Sequence, residues 1–325
     1  MWKRGGGTDR NHLAILHNGA ALYASNAGKL NGLAPEAYIQ PQDNILDNGH
    51  LAVNQQAKKL YDKPGLTVDR WKILGEYTKV EVVDDGIKIT TTQPTLLNIF
   101  IQILEIEKDL IGEDLAATVE LGDSSNGVEA CVHAYSSDNS YLSGSYKFVN
   151  SNSAETFHFI VPENTKRLQF IFRPAVYGQE SFFVIKRAKL EKGRRFTGWP
   201  VWNYAQELAK CQRYFYRFCT HNETLKIDEI EWANGSKFFA NFTAIVPNTM
   251  RIKPVAAYHN VKIAIKSSNT ILDLPDDLVF TIFDGSSTYI HCNIGVPKDA
   301  FNIDISKDWY LIIAKNGYIE FNANL

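Results

Sequence analysis

Between Asp43 and Gly198 the chain falls into about ten short runs rich in β-branched and aromatic residues, each bounded by Gly, Pro, Asn, Asp or Ser. Runs this short cannot build helices of useful length, and they carry no long crossovers for a parallel sheet. Thr67–Leu74 contains Trp71 and ends at Gly75. Tyr77–Val83 runs into Asp84-Asp85-Gly86, and Ile87–Thr92 follows, which predicts a hairpin. Leu96–Ile106, Ala116–Leu121, Val128–Ser136, Tyr141–Val149, Glu155–Val161, Arg167–Phe172 and Ser181–Leu190 continue the series. Phe157, Phe159 and Val161 alternate with Thr156, His158 and Ile160, the period of a strand with one face in a core. The expected result is an antiparallel β-sandwich.

One segment reads differently. Tyr204–Phe218 has Ala205, Leu208, Ala209, Cys211, Tyr214, Phe215 and Phe218 at helical spacing, and it follows a linker signal, Gly198-Trp199-Pro200. Beyond it Thr224–Ile230, Lys237–Val246, Val255–Lys266, Leu278–Phe283, Thr288–Val296, Tyr310–Ala314 and Tyr318–Ala323 read again as strands. Residues 1–42 are rich in Gly, Ala and Asn and have little to bury alone, so they read as a connector or as a segment packing on copies of itself. The predicted layout is all-β: a connector (1–42), a first sandwich (43–198), a linker helix (199–219) and a C-terminal sandwich (220–325).

Composition narrows the function. At 325 residues the chain suits about two domains, and with 45% hydrophobic residues each can bury a core. Lys plus Arg number 34 against 36 Asp plus Glu, a net charge of −2, which gives no global attraction to nucleic acid or to an anionic membrane. The apolar runs are too short and polar to cross a bilayer, so no membrane insertion is expected. The basic start, Met1-Trp2-Lys3-Arg4, is followed by no apolar stretch of secretory type, and reduced thiols are expected for Cys131, Cys211, Cys219 and Cys292.

Asn44-Ile45-Leu46-Asp47-Asn48-Gly49-His50, then Val53-Asn54-Gln55, then Thr67-Val68-Asp69-Arg70-Trp71, resembles the opening of the jelly-roll domain of phage and prophage tail-fibre proteins. It is also similar to the start of jelly-roll carbohydrate-binding modules. Ala188–Gly193 resembles the closing strand of that module, and Ala205–Phe215 the helix that follows it in fibre proteins. Phe242–Pro254 looks like a Pro-x-x-Met-Arg-x-x-Pro stretch of the same family, and Gly317–Leu325 like its last strand. Upstream, Asn26–Tyr38 is similar to a short repeat of fibre shafts. His50 stands where Phe is commoner, and Asn324 where Glu is usual. The resemblance implies two jelly-roll-like sandwiches joined by one helix, in a homotrimeric receptor-binding protein of the virion tail. Its N-terminus would meet other tail or baseplate proteins, and its ligand would be a host cell-surface carbohydrate. No cofactor is implied, although a structural Ca²⁺ near the first and last strands is compatible with it, with Asp43 and Asp47 as the available carboxylates.

The residues themselves offer few chemical constellations. Trp71, flanked by Asp69 and Arg70, reads as a core indole beside a structural ion pair more readily than as a sugar platform. Cys131 and His133 share a strand face, but no further ligand spacing accompanies them; they read as a buried thiol and a polar strand His. Cys211 and Cys219 lie about two helical turns apart if the helix runs that far, too distant for a disulfide. The carboxylate pairs Asp84-Asp85, Glu105 with Glu107, and Asp276-Asp277 are adjacent in turns or on an edge, and a glycosidase needs two carboxylates converging from different segments. Asp284-Gly285-Ser286-Ser287 is a hairpin turn.

The candidates for recognition are aromatic strand faces. Tyr135, Tyr141 and Tyr146 surround the hairpin Ser136-Ser137-Asp138-Asn139-Ser140, and Tyr289, His291 and Asn293 alternate with Ile290, Cys292 and Ile294. Rigid rings mixed with small hydrogen-bonding residues suit sugars; an ordinary solvent face or a subunit contact accounts for the same pattern. Three functions compete: a non-catalytic tail fibre, a secreted carbohydrate-binding module, and a polysaccharide depolymerase. The expectation is a fibre protein that binds glycan without turnover.

Overall fold

The structure is a computed structural model that describes residues 41–93, 99–106, 108–218, 224–233, 237–247, 250, 254–265, 271–273, 280–284, 289–297 and 309–323, after two short strands, Leu16–His17 and Ala20–Ala21. For part of the strands beyond Arg217, only the backbone belongs to this description. The rest of the connector, together with Cys219, Glu107, Asp276, Asp277 and Gly285–Ser287, lies outside the described residues.

The fold is all-β, as the sequence predicts. Residues 60–192 form a sandwich of two six-stranded antiparallel sheets. The front sheet runs, in spatial order, through Tyr141–Val149, Val128–Tyr135, Arg167–Pro174, Ile99–Glu105, Lys72–Leu74 and Gly65–Leu66. The back sheet runs through Ala154–Ile160, Asp114–Ser124, Ser181–Lys192, Gly86–Thr91, Thr78–Val83 and Leu60–Tyr61. Asp84-Asp85 turns between Thr78–Val83 and Gly86–Thr91, the hairpin expected there. Phe157, Phe159 and Val161 face inward while Ile160 is exposed, so the period-two pattern reports the real faces.

Trp71 anchors the core. It is fully buried, stacks on Phe100 at 5.0 Å between ring centroids, and meets Phe170 edge-on at 6.3 Å. Its indole N–H donates to the Asn48 carbonyl at 3.2 Å, the partner a buried indole needs. Asn48 is itself buried in a left-handed conformation (φ 51°), and its amide donates to the carbonyls of Val53 (2.9 Å) and Asp69 (3.0 Å). Asn44 accepts from Leu190 N at 2.9 Å and donates to the Ala188 carbonyl at 2.8 Å, stitching the opening motif to the closing strand. Gly49 passes so close to that strand that a Cβ would lie 2.5 Å from the Ala188 carbonyl oxygen.

Two readings before the C-terminal unit need correction. Thr67–Trp71 is a turn, and the strand there is only Lys72–Leu74. Arg70 takes φ 71° so that its guanidinium can pair with Asp47 (2.9 Å) and lie 3.4 Å over the Tyr214 ring; the partner is therefore Asp47 rather than the adjacent Asp69. The helix, expected over 204–218, spans Tyr204–Gln212. Asn203 caps its start, accepting from Ala205 N and Gln206 N. It stops because Phe215–Phe218, a bulky aromatic run, pairs as a strand with Ile319–Asn322.

The C-terminal unit is an eight-stranded antiparallel sheet. Thr224–Ala233 joins its halves, pairing first with Tyr310–Ile312 and then with Lys237–Phe242. The two runs expected at 310–314 and 318–323 are one strand, Trp309–Asn322. Its ladder with Val255–Ile265 shifts register at Asn260, where Ala314–Gly317 has no partner of its own in the ladder. Polar contacts fasten this unit to the sandwich: Gln55 Nε2 donates to the Phe215 carbonyl (2.7 Å), and Arg217 to the Gln56 carbonyl (3.1 Å). No helix among the described residues is long and apolar enough to cross a membrane.

Candidate functional site

Side chains alternate across a strand, so the front sheet carries two sets. Val128, Ala130, Val132, Leu168, Phe170 and Phe172 enter the core. The other set points outward, and the register orders it. Phe148 lies beside Glu129, Tyr146 beside Cys131, Gly144 beside His133 and Tyr141 beside Tyr135. Arg173, Ile171, Gln169 and Arg167 form the next column, followed by Ile101, Ile103 and Glu105, and then Lys72.

This outward face has an apolar floor and an aromatic margin. Ile101, Cys131 and Ile171 are buried together away from the main core, with Ile99 and Ile103 packed on them. At one end His133 meets Tyr141 edge-on (5.4 Å, 83°), and Tyr141 meets Tyr135 in the same way (5.8 Å, 74°). Tyr146 and Phe148 form a second edge-on pair at 6.0 Å. Tyr141, Tyr146 and Phe148 are 58%, 61% and 52% exposed, an unusual concentration of open aromatic area on one edge strand.

Local sequence holds these rings in place. A Cβ on Gly144 would sit 2.6 Å from His133 Cδ2 and 2.7 Å from the Tyr141 hydroxyl, so only glycine lets the two rings close over the strand. The Ser136–Ser140 turn is fastened by Asp138, whose carboxylate accepts from Ser140 N (3.2 Å) and Ser140 Oγ (3.0 Å), and also from Ser136 Oγ. Those bonds hold the Asp138 carboxyl below its usual range.

The electrostatics favour a neutral polar surface. Burial, with Arg173 nearby, lowers the His133 pKa and keeps the imidazole uncharged at neutral pH. Glu129 is paired with Arg173. Arg167 lies 5.3 Å over the Tyr135 ring, and burial raises the Tyr135 pKa. Burial also pushes the Cys131 thiol up to about 12, which makes it a packing residue and not a nucleophile.

Tyr135, Tyr141 and Tyr146 thus lie on one outward face of the front sheet. Tyr289, His291 and Asn293 belong to the strand Tyr289–Pro297, whose Cys292 is buried, but their side chains lie outside the described residues. Sequence reasoning missed Phe148, Arg167 and Gly144, and took His133 for a plain strand residue. The alternation of Tyr146 with Phe148 was the available signal; the contacts of Gly144 and Arg167 come from strands brought together only by folding.

Trp71 is closed to any ligand by burial. Near the first and last strands the described residues gather no carboxylate cluster for a bound Ca²⁺. Asp47 is committed to Arg70, Asn44 to the closing strand, and among the described residues no group of three or more His, Cys, Asp or Glu side chains is placed to hold a metal ion.

No protein-family model matches this chain, and no curated protein matches it. Among solved structures it is similar to the enzymatically active domain of tailspike protein 4 from bacteriophage CBA120, at 13% identity and a TM-score of 0.32, over 48% of this chain and 22% of that one. It is also similar to a carbohydrate-binding module of the CBM4 type (16% identity, TM-score 0.32, 45% of this chain and 98% of that one). A third likeness is to the CBM22-1 xylan-binding domain of Paenibacillus barcinonensis Xyn10C (11% identity, TM-score 0.31, 48% and 98%).

Proposed function

We propose that this chain is a non-catalytic, glycan-binding protein of tail-fibre type, which attaches a virion or a phage-tail-like particle to a host cell-surface carbohydrate. The observation that carries the reading is the front-sheet face, where Tyr135, Tyr141 and His133 form one edge-on cluster and Tyr146 and Phe148 stand open beside it. An exposed ring offers its face to the C–H side of a pyranose. The neutral imidazole, Gln169 and the Arg167 and Arg173 guanidiniums offer hydrogen bonds to its hydroxyls. Binding without turnover fits the two carboxylates of this face. Glu129 is tied to Arg173 while Glu105 lies beside Arg167, six residues away along the same strand or roughly 20 Å, too far to converge on one glycosidic bond.

The order of fibre-like motifs along the sequence supports a homotrimer that joins other tail or baseplate proteins through residues 1–42, and a place in the virion tail. Three copies per fibre would raise avidity without any new contact, which suits a shallow face of modest affinity.

The test is adsorption to host cells, with a glycan array to name the sugar. Replacing Tyr141 and Tyr146 together by Ala abolishes binding while assembly and melting stay unchanged. The paired replacement of Tyr289 and His291 tests the C-terminal strand in the same way. Adsorption equal to the parent in both double variants would remove these faces from consideration, and release of reducing ends from host polysaccharide would favour a depolymerase.

A further inference from the structure

The back sheet carries a second concavity, on the opposite side of the sandwich from the tyrosine face. Residues 193–203 lie across the outward face of Ser181–Lys192, anchored where Lys189 donates to Thr197 Oγ1 (3.0 Å) and to the Gly198 carbonyl (2.7 Å). That path leaves an open groove of about 350 Å³, walled by Trp202 and His50 and floored by Glu120, Arg187, Lys186 and the Asp84-Asp85 turn. Trp202 stacks on His50 (5.9 Å between centroids, 22°) and is 43% exposed. His50 also meets Trp199 edge-on at 6.4 Å, and Arg187 lies 4.3 Å over the Trp199 ring.

The polar groups of this groove are only partly used by the protein. Arg187 gives its Nε to Glu120 Oε2 at 2.6 Å, and Lys186 pairs with Asp85 at 2.6 Å. Among the described residues the terminal nitrogens of Arg187, Glu120 Oε1, the Asp84 carboxylate and both ring nitrogens of His50 make no hydrogen bond to protein. Arg187 pairs with Glu120 and Lys186 with Asp85, and the remaining charge of the lining, the Asp84 carboxylate, repels anions, so the groove does not suit an anionic ligand. What remains is an aromatic wall beside alternating donors and acceptors, the complement of a ring with one apolar face and several hydroxyls.

We propose that this groove is a second saccharide subsite, taking an uncharged hexose or pentose unit of an oligosaccharide with its C–H face against Trp202 and its hydroxyls between Glu120 and Arg187. Burial lowers the His50 pKa, with Arg187 adding to the effect, so its imidazole is neutral and can both donate and accept. The inference extends the glycan-binding reading to a site that reading does not use. Each chain then holds sugar on two opposite faces and can bridge two strands of one polymer.

The experiment titrates the whole chain with cellohexaose, xylohexaose and maltohexaose, reading stoichiometry by calorimetry and indole environment by tryptophan fluorescence. The parent binds two equivalents of at least one sugar, with a fluorescence change. Trp202→Ala removes one equivalent and that change. Glu120→Gln, which keeps shape and leaves Trp202 in place, weakens the same equivalent at least tenfold at an unchanged melting temperature. Tyr141→Ala with Tyr146→Ala removes the other equivalent only. If Trp202→Ala and Glu120→Gln both keep the parent's stoichiometry and affinity, the groove is not a sugar site and the front-face reading stands. If Trp202→Ala removes all binding and the tyrosine variant removes none, the groove stands and the front face fails. If none of the three sugars binds the parent, the groove proposal is overturned.

Discussion

Lys189 and Glu191, two residues apart on the closing strand of the sandwich, form a 2.9 Å ion pair in which neither side chain reaches solvent. Both sit on the outward face of the back sheet, and residues 193–203 cover them. The ammonium donates to Glu191, Thr197 Oγ1 and the Gly198 carbonyl, which uses all three of its protons. Glu191 in turn accepts from Thr197 N at 3.1 Å and from Thr197 Oγ1. The pair is therefore a clasp: it ties Thr197 and Gly198, just ahead of Trp199 and Trp202, onto the sheet.

Removing one partner leaves a buried, uncompensated charge. Lys189→Ala is expected to destabilise the sandwich by about 3–5 kcal/mol, whereas Lys189→Met with Glu191→Leu costs much less because no charge is stranded. Urea unfolding of the two variants checks this. Equal losses would mean that the clasp acts by packing alone.

Gly49→Ala tests the seam between the opening motif and the closing strand. The new methyl would fall 2.5 Å from the Ala188 carbonyl oxygen and 2.1 Å from the Asn44 amide nitrogen. A backbone atom of a central strand cannot step aside cheaply, so about 3 kcal/mol of stability is expected to go, read as a lower unfolding midpoint. A midpoint at the parent's value would show that this seam is looser than its contacts imply.

The strands were legible where one property governs them. Tyr141–Val149 reads to the residue because its ends are turn sequences and its interior is strand-forming, and Phe157 with Phe159 report their own face. Arg70 was not legible: its left-handed backbone depends on Asp47 and Tyr214, far away in sequence. Tyr214 and Phe215 fit a helical stripe as well as they fit a strand, and only the distant Ile319–Asn322 decides between them. The same holds for the site. Three exposed tyrosines can be picked from local pattern, but the glycine and arginines that position and flank them need the register.

Asp69 gives stability a pH dependence. Burial raises its pKa from the ordinary 3.8 to about 6, against the opposing hydrogen bonds from Gln55. The folded chain then holds a proton that the unfolded chain has released, so this group's contribution is full below pH 4, falls as pH rises through 6, and is flat above. The change is about 3 kcal/mol. Asp69→Asn is expected to flatten that part of the curve, so the stability difference between variant and parent shifts in the variant's favour from pH 4 to pH 7. A difference independent of pH would mean that Asp69 titrates normally.

Gly144→Ala separates the front-face reading from general stability. Here the atoms a Cβ would strike, His133 Cδ2 and the Tyr141 hydroxyl, are the far ends of side chains, and the nearest backbone atom, the Val132 carbonyl oxygen, is 3.2 Å away. The rings can swing aside, so the fold is expected to survive with a melting shift of about 2 °C or less. The edge-on contacts of Tyr141 with His133 and Tyr135 cannot survive in their present form, because Tyr141 must leave its place over Gly144. If the face recognises sugar through a preset aromatic cluster, affinity drops at least tenfold, which is about 1.4 kcal/mol. Unlike Tyr141→Ala, this variant keeps every ring and every hydroxyl and adds a single methyl, so a loss reports the arrangement of the rings over Gly144 rather than the removal of a contact group. Unchanged glycan affinity in a folded Gly144→Ala protein would show that Tyr135, Tyr141 and His133 do not act as a fixed set.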